Sequence, residues 1–265
     1  MLTDPSHDPG VDDVVAWLSA KKLRTLVADG VRQAIDEVID GPRTGRWSVD
    51  ELEKTEKIYI GTKVEIVVRT ALGLERAGRL DTIIEGHFVD FKWSSTSSWE
   101  FPTEAIGEIC LLIGAKNEGT QLDIGVIRVV ETLLSPGRNK DWKAKLSQLG
   151  RSAIRWLERD VPLKPSFLAT LDAGTREEIL AGRRGQDRVR RLFQLLPRQP
   201  IPRLAIATLA QQDDPTRRTR LDTVDRLGGM RVLSARRQRA RLEHLGFTSL
   251  ASDEFVGIPA DELDS

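Results

Sequence analysis

The sequence predicts a mixed α/β domain over residues 1–161 and a second, mostly helical domain over residues 162–265. Three observations carry that division. Apolar residues recur at helical spacing near the N-terminus and then in strand-like runs between Asp81 and Val130. Pro162-Leu163-Lys164-Pro165 reads as a linker. Beyond it the composition changes to short arginine-rich helical stretches.

Val11 to Ile39 reads as helix in two pieces, broken near Asp29-Gly30, with Val14, Val15, Leu18, Val31, Ala34, Ile35 and Val38 on the apolar side. Asp40-Gly41-Pro42 ends it, and Arg43 to Trp47 reads as a loop. Ser48 with Glu51 has the spacing of a capping box for the next helix, which carries Lys54 to Lys57 and Gly61 to Ile66. Asp81 to Lys92 reads as strand, Glu85-Gly86 turn, and strand. Trp93 to Pro102 is a polar loop with three aromatics, fit either to touch a DNA groove or to anchor the loop. Ile109 to Ala115 and Leu122 to Val130 are core strands, and Asp141 to Leu157 reads as a helix. Helix, strands and helix around one mixed sheet make an α/β core. In the second half, helices are expected at Arg176 to Ala181, Gln186 to Leu196, Leu204 to Gln212 and Arg239 to Leu245, with a turn and strand at Gly228 to Leu233. That mixture is winged-helix-like. The tail from Ala251 reads as loose.

The hairpin holds the chemistry. Asp90 and Lys92 share a strand face and Phe91 takes the other. Asp81, on the strand folding back, can join them. Two carboxylates and an ammonium in a D…D-x-K pattern suit a metal-dependent nuclease: the carboxylates take Mg²⁺, which prefers oxygen ligands, and the lysine holds water or stabilises developing charge. The competing reading is an edge strand with solvated charges. Glu65 lies among Val64, Ile66 and Val67, and reads either as a further acid of that site or as a surface glutamate.

Composition narrows the alternatives. The chain has 265 residues, 40% hydrophobic and 30% charged, with mean hydropathy −0.30. One cysteine, Cys110, excludes a disulfide framework and points to a cytoplasmic protein. No apolar run is long enough to span a bilayer, and Met1 to Asp13 does not read as a signal peptide. Net charge is zero, yet residues 176–241 hold seventeen arginines, no lysine and seven acids, an excess of ten positive charges. Such asymmetry points to nucleic acid, or to a solvated arginine surface.

Six blocks in order raise the reading above a lone motif: Asp40 to Trp47 (DGPRTGRW), Lys54 to Lys57 (KTEK), Gly61 to Ile66 (GTKVEI), Val89 to Lys92 (VDFK), Glu104 to Leu111 (EAIGEICL) and Ile206 to Asp214 (IATLAQQDD). Together they resemble the NaeI-type restriction endonucleases. The resemblance implies an endonuclease domain of the PD-(D/E)XK fold and a winged-helix-like DNA-binding domain. It implies a homodimer that cuts double-stranded DNA with Mg²⁺, activated by a second DNA copy in the C-terminal domain. It places the active-site residues on Glu65, Asp81, Asp90 and Lys92, with Glu65, Asp81 and Asp90 toward the metal. Two features depart from the family pattern: Phe91 stands where the family has cysteine, and the basic run Arg236 to Arg241 replaces a more acidic stretch. A DNA-binding regulator that no longer cuts, and a nicking repair nuclease of the same fold, are the alternatives.

Overall fold

Asp8 caps the first helix. Its carboxylate accepts the Val11 N–H at 3.1 Å, and Pro9 occupies the first turn, where a missing N–H costs nothing. The structure, a computed structural model, describes residues 8–78, 80–211, 215–222 and 224–263. Its backbone contacts fall into two units, one running through Val38 and over Leu52–Lys164, the other Ile39–Glu51 with Pro165–Ser265.

In the first unit, α1 (Pro9–Ser19), α2 (Leu23–Ile39) and α3 (Lys54–Ala71) accompany a five-stranded sheet. The strands are β1 (Thr82–Ile84), β2 (His87–Ser94), β3 (Ile109–Lys116), β4 (Gln121–Arg128) and β5 (Arg155–Pro162), lying side by side in chain order. Only β2 and β3 are parallel; the other neighbours are antiparallel. The mixed sheet flanked by helices is the α/β core that the sequence predicts. β3 is buried along nearly its whole length, which explains its unbroken apolar run. Polar contacts tie α1 to the sheet: Asp8 grips Arg128, Asp13 meets His87 at 3.0 Å, and Asp12 meets Arg155 at 2.7 Å.

Three local expectations are corrected. The first helical run breaks at Ala20–Lys22, not at Asp29-Gly30. Gly30 sits inside α2 because a Cβ there would meet Val68 of α3 at 3.1 Å, so it serves close helix packing rather than a stop. Ser48 does not cap α3; a 3-10 turn (Val49–Glu51) follows it, and Glu53 with Glu56 forms the capping box instead. Asp141 to Leu157 is not a helix. Trp142 turns the chain at φ 57°, Gln148–Ser152 makes one short helix capped by Ser147, and Arg155 already belongs to β5. Gly150 is pressed so close to the Leu133 carbonyl that a Cβ would lie 2.1 Å from its oxygen.

The second unit contains α4 (Ala173–Leu180), α5 (Gly185–Leu195), β6 (Pro200–Pro202), α6 (Arg203–Ala210), α7 (Pro215–Leu221), β7 (Met230–Ser234), α8 (Arg239–His244) and β8 (Glu254–Pro259). The sheet order β6-β8-β7 puts the last strand in the middle. From α5 onward the order is helix, strand, helix, helix, strand, the short helix α8 and the central final strand, a winged-helix-like order with α8 inserted between its last two strands. The tail expected to be loose is therefore a structural centre: Phe255, Val256 and Ile258 of β8 are buried. Trp47 packs against the core formed by Val189, Leu192, Phe193 and Ile206, which is why Ile39–Glu51 groups with this unit. Gln212 to Asp214, the end of one sequence block, lies outside the described residues. Among the described residues no helix is long and apolar enough to cross a membrane.

Candidate active site

Thr82 pairs with Val89 and Ile84 with His87, and the turn between uses Glu85 and Gly86, both at positive φ. This register returns Asp81 to the flank of β2. One Asp81 oxygen accepts the Phe91 N–H at 2.7 Å, so the carboxylate closes the hairpin where the strand ladder ends. Phe91 itself is fully buried in the opposite face, worth about 1.5–3 kcal/mol, which fixes the direction in which Asp90 and Lys92 point.

Lys92 Nζ lies 2.5 Å from Asp90 Oδ2, and both side chains are largely buried. The Asp81 carboxylate is the other charged neighbour of Asp90. Burial is the largest cause raising Asp90; the Lys92 ammonium opposes it, and Asp81 adds to it. Burial alone would lower Lys92, but the charge and hydrogen bond of Asp90 outweigh it, so Lys92 is raised and stays an ammonium.

Glu65 reaches this group from α3. Burial first, then the Asp81 charge, push it up to about 7, with Lys92 pulling the other way. The surface-glutamate reading of Glu65 is thereby displaced. Arg69, one helical turn further along α3, stands 3.6 Å from the other Asp81 oxygen with its side chain mostly buried. It was not singled out from the sequence, although its i+4 spacing from Glu65 was visible there. Cys110 lies beside Asp90 across the β2–β3 ladder, and Leu112 beside Lys92. Both belong to an apolar cluster with Trp99, Phe101, Ile127 and Leu146, which supplies the desolvation. Burial raises the Cys110 thiol, so it is a neutral neighbour. Trp99 and Phe101 are buried, and the Trp99 indole donates to the Lys92 carbonyl at 3.1 Å. Those two loop aromatics anchor the site rather than offer themselves to DNA.

All four residues expected from the sequence thus converge on one hairpin and one helix. A model of the restriction endonuclease NaeI family matches residues 21–261. This chain belongs to that family. The type II restriction enzyme NaeI of Lentzea aerocolonigenes is 36% identical over 198 residues, which cover 72% of this chain and 62% of that protein. The chain therefore spans less than two thirds of the NaeI relative's length.

The donor set fits a hard divalent cation of the kind type II restriction enzymes use. Asp81, Asp90 and Glu65 offer only oxygens, and their mutual repulsion is what a cation would relieve. Among the described residues no three His, Cys, Asp or Glu side chains form a cation cage by themselves. Mg²⁺ commonly takes one or two carboxylates and completes its shell with water and substrate phosphate, so an incomplete protein cage agrees with the donor chemistry.

Proposed function

We propose that this chain is a Mg²⁺-dependent type II restriction endonuclease that hydrolyses a phosphodiester bond in double-stranded DNA at a short specific sequence. The convergence of Glu65, Asp81, Asp90 and Lys92 carries the reading, and family membership supports it. Asp81 and Asp90, with Glu65 alongside, would hold the cation, which would lower the pKa of bound water and neutralise charge on the scissile phosphate. Asp81 does two things at once: one oxygen holds the Phe91 backbone, and the other faces the cluster beside Arg69. Lys92 stays charged, so its Nζ can orient the attacking water by hydrogen bonding and offset negative charge on the phosphate oxygens. Asp90 fixes where that ammonium sits. The Cys110–Leu112 floor keeps the cluster poorly hydrated, which strengthens each of these interactions.

The second unit is proposed to bind another duplex and so activate cutting, with two such chains acting as a homodimer. Its winged-helix-like order supports this, as do Arg217, Arg218 and Arg220 on α7, the helix in the position that enters a groove in such folds. Arg190 grips Asp222 with two hydrogen bonds, at 2.9 and 3.0 Å, and Gln186 donates to Thr219 at 3.2 Å; together they hold α7 against α5. Part of the arginine excess is spent inside the unit: Arg188, Arg191 and Arg241 donate to backbone carbonyls. Plasmid cleavage tests the whole reading. A two-site plasmid should be cut faster than a one-site plasmid, and a short duplex carrying the site should rescue the latter. Equal rates, with no rescue, would remove the activating role of the second unit and leave the nuclease reading standing.

A further inference from the structure

Ser135 to Lys145 forms a finger whose build the cleavage site does not explain. It is rooted in a ribbon: Glu100 pairs with Lys145 and Phe101 with Ala144, and the Ser135 N–H donates to the Lys145 carbonyl at 2.8 Å. Asn139 braces its tip. The Asn139 side-chain oxygen accepts from the Asp141 and Lys143 N–H groups at 2.9 and 3.0 Å, and its amide donates to Glu100 at 2.9 Å. The turn is thus fixed rather than floppy, and it presents Trp142 at φ 57°, a conformation that strains any residue but glycine. The indole is 74% exposed, whereas the other five tryptophans are at least partly buried. An organised turn that holds a large apolar ring out into water calls for a contact.

The charge around it names the contact. The finger carries Arg138, Lys140, Lys143 and Lys145 against Asp141. Glu131 takes Arg138 Nη2 and Glu100 approaches Lys145, but Lys140 and Lys143, on either side of Trp142, make no ion pair among the described residues. Beneath the finger lies a cleft of about 280 Å³ lined by Glu100, Ser135, Arg138, Asn139, Lys143 and Lys145. Arg138 also lines it, and its Nη1 is buried without an acceptor. A buried guanidinium N–H without a partner is costly until an acceptor reaches it, and an oxyanion is the strongest acceptor for a guanidinium. The ribbon's Phe101 and Ala144 belong to the apolar cluster that contains Cys110 and Leu112, the neighbours of Asp90 and Lys92 across the ladder. The finger is therefore built from the same side of the sheet as the cleavage residues.

We propose that the cleft seats a backbone phosphate of duplex DNA, and that Lys140, Lys143 and Trp142 grip the adjoining backbone and groove. This inference rests on the nuclease reading and adds a contact to it, one that binds the substrate without touching the reacting phosphate. Two variants of the full chain, Lys140→Ala/Lys143→Ala and Trp142→Ala, test it by plasmid cleavage with Mg²⁺ over a salt series. In both, KM should rise by roughly tenfold or more while kcat stays within about twofold, since the lost binding is uniform rather than confined to the transition state. In the lysine variant the slope of log kcat/KM against log salt should flatten by up to about 1.8, about 0.9 for each lost phosphate contact. Trp142→Ala should leave that slope unchanged, and Trp142→Gly, which relieves the strained backbone, replaces it if the alanine variant fails to fold. Wild-type KM and slope in the lysine variant would overturn the inference alone, with the nuclease reading intact. Loss of self-association without a change in KM would overturn it in favour of a second copy of the chain at Trp142. A wild-type chain that neither binds nor cuts duplex would overturn both readings.

Discussion

Replacing Asp81 by asparagine and by alanine should separate its two duties. In the native chain one Asp81 oxygen accepts the Phe91 N–H at 2.7 Å, and the other lies 3.6 Å from Arg69. Alanine removes the acceptor and leaves a backbone N–H unsatisfied beside the fully buried Phe91, a cost of about 1–3 kcal/mol. The Arg69 contact adds little at that distance. Relief of repulsion with Asp90 and Glu65 subtracts from the total, so a net loss of about 1–2 kcal/mol is expected, or roughly 2–8 °C in melting temperature for a protein of this size. Asparagine keeps an oxygen in place for Phe91 and also relieves the repulsion. Its melting temperature should stay within about 2 °C of wild type. Both variants should lose cleavage by at least about a hundredfold, because neither offers a carboxylate to a cation. Scanning calorimetry and single-turnover plasmid cleavage read the two effects apart. If Asp81→Asn cuts near the wild-type rate, Asp81 has no place in the chemistry. If Asp81→Ala melts with wild type, its bond to Phe91 does not hold the hairpin.

Lys92→Ala should cut at least about a hundredfold more slowly yet bind duplex nearly as wild type in a gel shift, because the ammonium acts on the reacting phosphate; a rate within twofold of wild type would remove it from the mechanism. Gly185→Ala should lower the melting transition of the second unit by about 1–3 kcal/mol, since the added methyl would lie 2.0 Å from the Ala210 carbonyl oxygen; an unchanged transition would contradict the packing of α5 on α6. Asp8 is lowered chiefly by its hydrogen bond to Arg128, with burial opposing and Val11 helping. A carboxyl lowered in the fold stabilises above its unfolded pKa near 3.9 and loses that contribution as pH falls through the folded value. Asp8→Asn should therefore cost about 1 kcal/mol at pH 7, discounted for partial exposure, and the deficit should shrink as pH falls below the unfolded pKa; a deficit that does not shrink with acid would assign the effect to shape rather than charge.

The hairpin was legible because strand alternation and the Glu85-Gly86 turn agree with the burial of Phe91, so one period fixed which way Asp90 and Lys92 point. Glu65 was harder to read. Its sequence neighbours could not say whether α3 turned that carboxyl toward solvent or toward the hairpin, and only packing decided it. Asp141 to Leu157 misled because Trp142, Leu146, Leu149, Ile154 and Leu157 fall at helical spacing, while the contacts that overrule it are long-range: Gly150 against Leu133, and Arg155 to Pro162 along β4. The last strand was missed for a related reason. Asp253-Glu254 and Asp261-Glu262 made the tail look acidic and loose, although Phe255 to Ile258 between them fill the centre of a sheet. Arginines were read by their charge alone, yet Arg190 and Arg198 are committed to Asp222 and Glu262.

Incubating the full chain with plasmid DNA and Mg²⁺, beside an EDTA control and the Asp90→Ala variant, and then sequencing the product ends, tests the central claim most directly. The wild-type chain with Mg²⁺ should give ends at one short sequence, and the plasmid should stay intact both in EDTA and with Asp90→Ala. Strong cleavage in EDTA, or by Asp90→Ala, would contradict that claim.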